Sequence, residues 1–359
     1  MPATRRLFDI DPEVEIWSAA LTHSPNTDGG DLHELRAVLR DSLGTAKSES
    51  PTVDARWRES WRVLANIGIA GFCAAEDLGG FGLRVDAAVT AAIELGAALH
   101  GSPFAGLTAS AHALSAAGNG DASVVAAAIA SGEKICAWGW LDPSGSRSRT
   151  VDGGDDADAL LLVEPVSGGM LLLDDRSLWS IDGPQDSFDG SRRCHDVTLD
   201  PAAGHRLASD PVAVSLHGLL LAADALGGLQ RMLDRTVDYA RERQAFGKAI
   251  GGFQAVQHRL VDHAVRIRGM SLAITAAAQQ LGSGATGATL AVALAQVSVS
   301  SSATTILHDL LQLTGGIGFT WEYGLHLYER RAHHDARLAA NPRAAIRTVA
   351  QCQGWINGG

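Results

Sequence analysis

RERQAFGKAIGGFQAVQHRL, residues 241–260, divides what would otherwise be one long helix into two. Upstream, Leu226, Leu229, Leu233, Val237 and Ala240 recur at helical spacing, with Arg231, Asp234, Arg235 and Asp238 on the other face. Downstream, Phe253, Val256, Leu260, Ala264 and Ile267 restart the same period. Between the stripes lie Gly247, Gly251 and Gly252, which let the backbone turn closely, together with an aromatic and basic side chains. The segment therefore holds Arg243, Phe246 and Gln254 at the junction of two long helices. It is either a solvated turn with one helix-end arginine or a corner built to grip a ligand.

The chain around this corner is helical, then β, then helical. From about Glu13 to Lys134, DLHELRAVLRDSL and WRESWRVLANIGIAGF carry apolar residues at three- and four-residue spacing. Gly79, Gly80 and Gly82 predict a sharp bend before the next helix, and DASVVAAAIASGEK predicts a short helix closed by Gly132. Between Ile135 and Ala208 the texture changes: ALLLVEPVSGGMLLLDD reads as a hairpin around a Ser-Gly-Gly turn, with LWSIDG and CHDVTLD as further strands. From Ser209 onward the helical period returns, with Ala, Ser and Gly small enough for close helix packing. The expected domains are 1–134, 135–208 and 209–359, in an α+β, mostly α fold.

At 359 residues, 46% of them hydrophobic and 19% charged, a sizeable core is expected. The net charge of −11 argues against nucleic-acid binding, and no lysine-rich run offers a grip on anionic lipid. Cys73, Cys136, Cys194 and Cys352 form no CxxC pair, so reduced thiols are expected and neither a zinc site nor a disulfide framework is. The N-terminus lacks a continuous apolar run, and no stretch reads as long enough to span a membrane; the expected location is the cytoplasm.

Three motifs carry a family resemblance. RERQAFGKAIGGFQAVQ resembles the R-x-x-FG-x-x-I-x-x-FQ signature of acyl-CoA dehydrogenases, LLQLTGGIGFTWEYGLHLYERRA their second C-terminal signature, and LANIGIAGFCAAEDLGGFGL the helix–turn before their acyl pocket. They occur in the family's order and span nearly the whole chain. The resemblance implies an N-terminal helical domain, a small middle β domain and a C-terminal four-helix bundle. It also implies FAD lying across a subunit interface. Arg243 would then offer a two-pronged set of donors to pyrophosphate oxygens, which lysine cannot match. Phe246 and Phe253 would pack against the cofactor, Gln254 would bond near its adenosine end, and Gln312, Gly315 and Gly316 would complete the contact. On the residues alone, QLTGGIGF is also a plain helix C-terminus.

The family removes an α-proton from an acyl thioester while the β-hydride passes to flavin, so it needs a desolvated carboxylate base. That glutamate occupies one of two positions in the family. Here those positions are Ala339, counted from Glu322, and His217, in SLHGLLLAADALGG. Neither is a carboxylate. The Gly-x-Lys-x-Trp pattern of the middle domain is also absent, leaving Trp138 and Trp140 either as core residues or beside the flavin ring. The pattern resembles the smaller subunit of actinobacterial heteromeric acyl-CoA dehydrogenases of sterol side-chain catabolism, where a full-length partner carries the base. That resemblance implies an acyl-CoA substrate, a homologous partner in an α2β2 assembly, and an electron-transfer flavoprotein or similar acceptor. The alternatives are a non-catalytic structural paralogue, or a self-sufficient homo-oligomer using His217 or an unaligned carboxylate.

Several other polar residues carry weaker signals. His217 lies on an apolar stripe, where a satisfied core histidine is the default and a proton acceptor the alternative. His333 and His334 point to different faces of their helix and are expected on a solvated face rather than on a metal. Arg330, Arg331 and Arg337 could meet a CoA phosphate or pair with Glu329 and Asp335 at helical spacing. DGGDDADA lacks the distal glutamate of a calcium loop.

Overall fold

The computed structural model describes residues 30–44, 57–118, 120–182, 187–200, 202–339 and 342–356. The helical stretch expected from Glu13 lies outside these residues up to Gly29. Among the described residues, five helices form the first section: α1 (Gly30–Ser42), α2 (Trp57–Asn66), α3 (Val85–Ala97), α4 (Phe104–Ala117) and α5 (Gly120–Ala130). The bend expected between α2 and α3 is present. Gly79 and Gly82 adopt φ of 85° and 74°, and a Cβ on Gly80 would lie 2.3 Å from the Ala74 carbonyl oxygen. Gly132 closes α5 at φ 77°.

The middle section is two small sheets packed face to face. One has the order β1 (Cys136–Trp140), β3 (Ala159–Val163), β4 (Met170–Leu173), β7 (His205–Leu207); the other has β2 (Arg147–Asp152), β6 (Cys194–Leu199), β5 (Trp179–Ile181). The β3–β4 hairpin pairs Val163 with Met170 and Leu160 with Leu173, around the Ser-Gly-Gly turn. Its strands read as unbroken apolar runs because both faces are covered. Leu160, Leu162, Leu171 and Leu173 face the second sheet, while Leu161, Val163, Met170 and Leu172 join the helical core. β2 and β7 carry no apolar run that marks them as strands in the sequence, because polar residues fill most of their positions.

The last section is a helical bundle: α6 (Pro211–Glu242), α7 (Gln254–Gly282), α8 (Ala288–Thr314), α9 (Leu325–Leu338) and α10 (Pro342–Cys352). Asp210 caps α6 by accepting from the Val212 and Ala213 amides, with Pro211 at the first turn. Helices α3 and α6 cross backbone to backbone. A Cβ on Gly96 would sit 2.0 Å from the Asp224 carbonyl oxygen, and one on Gly227 would sit 1.9 Å from that of Ile93.

The expectation that no segment reaches membrane-span length needs correction. Pro211–Glu242 and Ala288–Phe319 are both long and apolar enough by length and composition. The most apolar window of the first is 83% buried, so its hydropathy serves the bundle core; that of the second is only 39% buried.

Candidate functional site

Glu242 ends α6, and a tight two-residue hairpin follows, pairing Gln244–Ala245 (β8) with Lys248–Ala249 (β9). Both turn residues have positive φ, 52° at Phe246 and 80° at Gly247, as a type I′ turn requires. Glycine adopts this freely, whereas phenylalanine is strained there. The strained residue also presents its ring outward, 96% exposed, edge-to-face with Phe253 at 6.3 Å between centroids. Lys248 sits 4.2 Å over the other member of that pair, Phe253. Arg243 is exposed, and its guanidinium has no carboxylate partner among the described residues.

The two glycine-containing motifs meet through the antiparallel pairing of α7 and α8. Asp309 accepts from the Arg259 guanidinium on both oxygens and lies 2.6 Å from His263 Nε2. With residue 259 opposite 309, five residues of helix on each side bring Gln254 level with Thr314. Gln312, Gly315 and Gly316 therefore lie at the same end of the bundle as Arg243 and Phe246. Gly315 has φ 63°, and a Cβ on it or on Gly316 would meet nothing within 4 Å, so the backbone there is open to approach. Gln254 and Gln312 are exposed and Phe253 half-buried. The corner offers unpaired donors, open backbone and an exposed aromatic, which suits a phosphate-bearing planar cofactor.

His217 and Ala339 lie elsewhere. His217 is buried and stacks on Trp138, with ring centroids 4.9 Å apart and planes at 21°. Its Nδ1 has no hydrogen-bond partner, so it is not a satisfied core histidine. Burial, helped by the Arg192 charge, lowers its pKa to about 3. The imidazole is neutral at physiological pH and a poor proton acceptor. Ala339 caps α9 and has no proton-accepting side chain. Trp138 is a buried core residue, while Trp140 is half-buried and donates its Nε1–H to the Leu338 carbonyl at 3.0 Å.

These residues border a cleft of about 120 Å3, lined also by Gly106, Arg149, Thr150, Asp152 and Arg337. Small-molecule sites usually enclose roughly 300–1,000 Å3. The cleft is too small for a flavin ring together with an acyl thioester. The corner fits the cofactor's phosphate end; the cleft of the single chain does not hold its ring and an acyl thioester together.

A buried charge network joins the three sections. Arg331 donates to Asp189 (2.6 Å), Ser191 Oγ (2.7 Å), Asp224 (3.3 Å) and the His100 carbonyl. Arg192 pairs with Asp152, with Asp224 at 3.2 Å and with Asp335 at 3.1 Å. Burial and the neighbouring Asp224 charge push Asp335 well above the usual carboxylate range. Burial also raises Asp189, but Arg331, Ser191 and Arg192 outweigh it and hold that carboxyl below its ordinary value. Two expectations fail here. Arg331 does not pair with Glu329 on the helix surface; it is interior. His334 is not solvated: it is buried 2.9 Å from Cys194 Sγ, and burial lowers its pKa to about 4. Only His333 is exposed. Arg330 sits over the Phe188 ring at 5.8 Å. The described residues contain no metal-ligating cluster, and all four cysteines are free thiols.

The chain matches a model of the acyl-CoA dehydrogenase C-terminal domain over residues 215–339. It is 34% identical, over 88% of its length and 96% of the other's, to the acyl-CoA dehydrogenase IpdE2 of Mycobacterium tuberculosis. Among solved structures it resembles the ChsE4–ChsE5 complex of Mycobacterium tuberculosis, at TM-score 0.76 and 22% identity over 92% of this chain and 99% of that one. It likewise resembles the Tcur3481–Tcur3483 steroid acyl-CoA dehydrogenase (G363A variant), at TM-score 0.76 and 23% identity over 90% and 98%. The chain belongs to the acyl-CoA dehydrogenase family. It is an oxidoreductase of the class acting on CH–CH bonds, and its cofactor is FAD.

Proposed function

We propose that this chain is the base-lacking subunit of a hetero-oligomeric FAD-dependent acyl-CoA dehydrogenase. It completes a flavin site whose ring side and catalytic glutamate belong to a homologous, full-length partner. One observation carries this reading: the motif corner is exposed and unpaired, while the cleft at His217 lacks both a carboxylate base and the space for a flavin ring together with an acyl thioester. Arg243 grips the diphosphate with two parallel donors. Gln254 and Gln312 bond toward the adenosine end, the open backbone at Gly315 and Gly316 admits the chain of phosphates, and Phe246 and Phe253 shield the cofactor from water. When bound, the flavin accepts the hydride lost from the acyl β-carbon. The α-proton goes to the partner's carboxylate.

The likeness to the steroid acyl-CoA dehydrogenase and to the two-protein ChsE4–ChsE5 complex favours a bulky, steroid-derived acyl-CoA as substrate and an α2β2 assembly; the cytoplasm as location and an electron-transfer flavoprotein or similar acceptor belong to the same proposal. In this reading residues 1–134, 135–208 and 209–359 act as helical, β and flavin-contacting units. A self-sufficient enzyme using His217 is disfavoured by the low basicity of its buried, stacked imidazole.

Co-expression with the neighbouring open reading frame, followed by native mass and flavin determination, tests this proposal. Equal numbers of the two chains and one flavin per pair are expected. The chain expressed alone is expected to be poor in flavin and prone to associate, because half-exposed apolar side chains such as Val261, Val265 and Leu272 lie along α7. A monodisperse yellow homo-oligomer with one flavin per chain contradicts the reading.

A further inference from the structure

We propose that the cleft lined by the His217–Trp138 stack and Trp140 binds a short-chain organic carboxylate, held by Arg149 and Arg337 of the same lining. The inference rests on the reading that the flavin ring lies in the partner's half of the assembly. Strands β2 and β6 pair in register through Ser148, lose register, and resume at Val151. The bulge falls on Arg149 and Thr150. Thr150 has φ 59°, an uncommon and strained conformation for a β-branched residue, and its amide is held by Asp196 Oδ1 at 2.9 Å. Bulges re-aim side chains and are over-represented beside active sites. This one takes Arg149 out of the ladder and sets it on the cleft wall.

Arg337 reaches the same wall from the last turn of α9. Both arginines are exposed and neither has a carboxylate partner among the described residues. The contrast with their neighbours is informative. In the middle section Arg147 pairs with Asp182, Arg192 with Asp152, Arg193 with Asp155 and Arg206 with Glu164, and Arg176 donates to the Trp179 carbonyl. Among the described arginines of that section, only Arg149 is left without a partner, and it faces a cavity. The single carboxylate on the lining, Asp152, is already engaged by Arg192. The lining therefore carries two guanidinium groups with no carboxylate left free to neutralise them, and guanidinium forks match the planar oxygens of a carboxylate.

The interior selects the rest of the molecule. Trp138, Trp140 and Leu221 give it apolar walls, and 120 Å3 holds only a few carbons. Gly106 and Gly139 cannot widen or narrow it by side-chain exchange, since a Cβ at either would collide with Trp138 (2.7 Å) or Ser148 (2.5 Å). The buried Nδ1 of His217 and Nε1 of Trp138, both on residues of the lining, have no partner in the protein.

Propionate is the probe. It is titrated calorimetrically into the co-expressed complex, while the flavin absorbance band reports on the partner's site. Saturable binding is expected at one propionate per copy of this chain, with the flavin band unmoved and neutral propionamide inert. Arg149→Gln and Arg337→Gln are each expected to weaken binding about tenfold or more. Both side chains are exposed and unpaired, so the thermal midpoints of the variants should match wild type. No binding of propionate, equal binding by the double variant, or tighter binding of inorganic phosphate than of propionate each overturns the proposal. Flavin content, measured before any titration, separates the other failure: one flavin per copy of every chain overturns the shared-site reading itself.

Discussion

Replacing Arg331 by methionine is expected to destabilise the complex by roughly 3–5 kcal/mol, the usual cost of removing one partner from a buried ion pair. Arg331 is among the largest fully buried side chains, and its guanidinium serves Asp189, Asp224, Ser191 and the His100 carbonyl at once. Methionine fills similar volume but leaves Asp189 charged, buried and short of its main counter-charge. The effect should grow at neutral pH and shrink in acid. The wild-type Asp189 pKa lies below its unfolded value, so its stabilisation is present above that unfolded value and lost as pH falls through the folded one. Urea unfolding of the complex measures the loss. Arg330→Met, one residue away but over the Phe188 ring, serves as control and should stay within about 0.5 kcal/mol of wild type. Equal midpoints for the two variants would remove the network from any role in joining the three sections.

Arg243→Lys is expected to lower flavin affinity of the complex by about tenfold or more while leaving the thermal midpoint of the flavin-free protein unchanged. Lysine keeps the charge but loses the paired geometry, and a hydrogen bond to a charged group is worth roughly 1.5–3 kcal/mol. The guanidinium makes no ion pair within the chain, so its loss should cost the fold little. Fluorescence titration of FAD into stripped complex reads the change. Unchanged affinity would show that Arg243 does not face the diphosphate.

The parts legible in the sequence were those with short-range signals. The corner at 241–260 declared itself because two helical stripes stop and restart around glycines, and the β3–β4 hairpin because two apolar runs flank a Ser-Gly-Gly turn. The type I′ geometry was less legible, because it places a phenylalanine where glycine or asparagine is usual. The charge network left no local signal at all. Asp189, Asp224 and Arg331 are far apart in sequence, and each alone reads as a surface residue. For the same reason His334 read as solvated: adjacency to His333 says that the two point apart, not which of them points inward. Arg149 was missed because β2 carries arginines at alternate positions and looks like an exposed edge; only the bulge and the left-handed Thr150 set Arg149 apart from Arg147.

The claim that the proton acceptor lies on the partner is tested most directly by steady-state dehydrogenation with His217→Phe in this chain, flavin occupancy matched to wild type. Phenylalanine keeps an aromatic ring against Trp138 and removes every proton-accepting atom. Turnover within a few-fold of wild type is expected, because an imidazole lowered to about 3 is not serving as a base at neutral pH. Loss of a general base costs on the order of 10²–10⁴ in rate, and a drop of that size in the His217 variant would contradict the account.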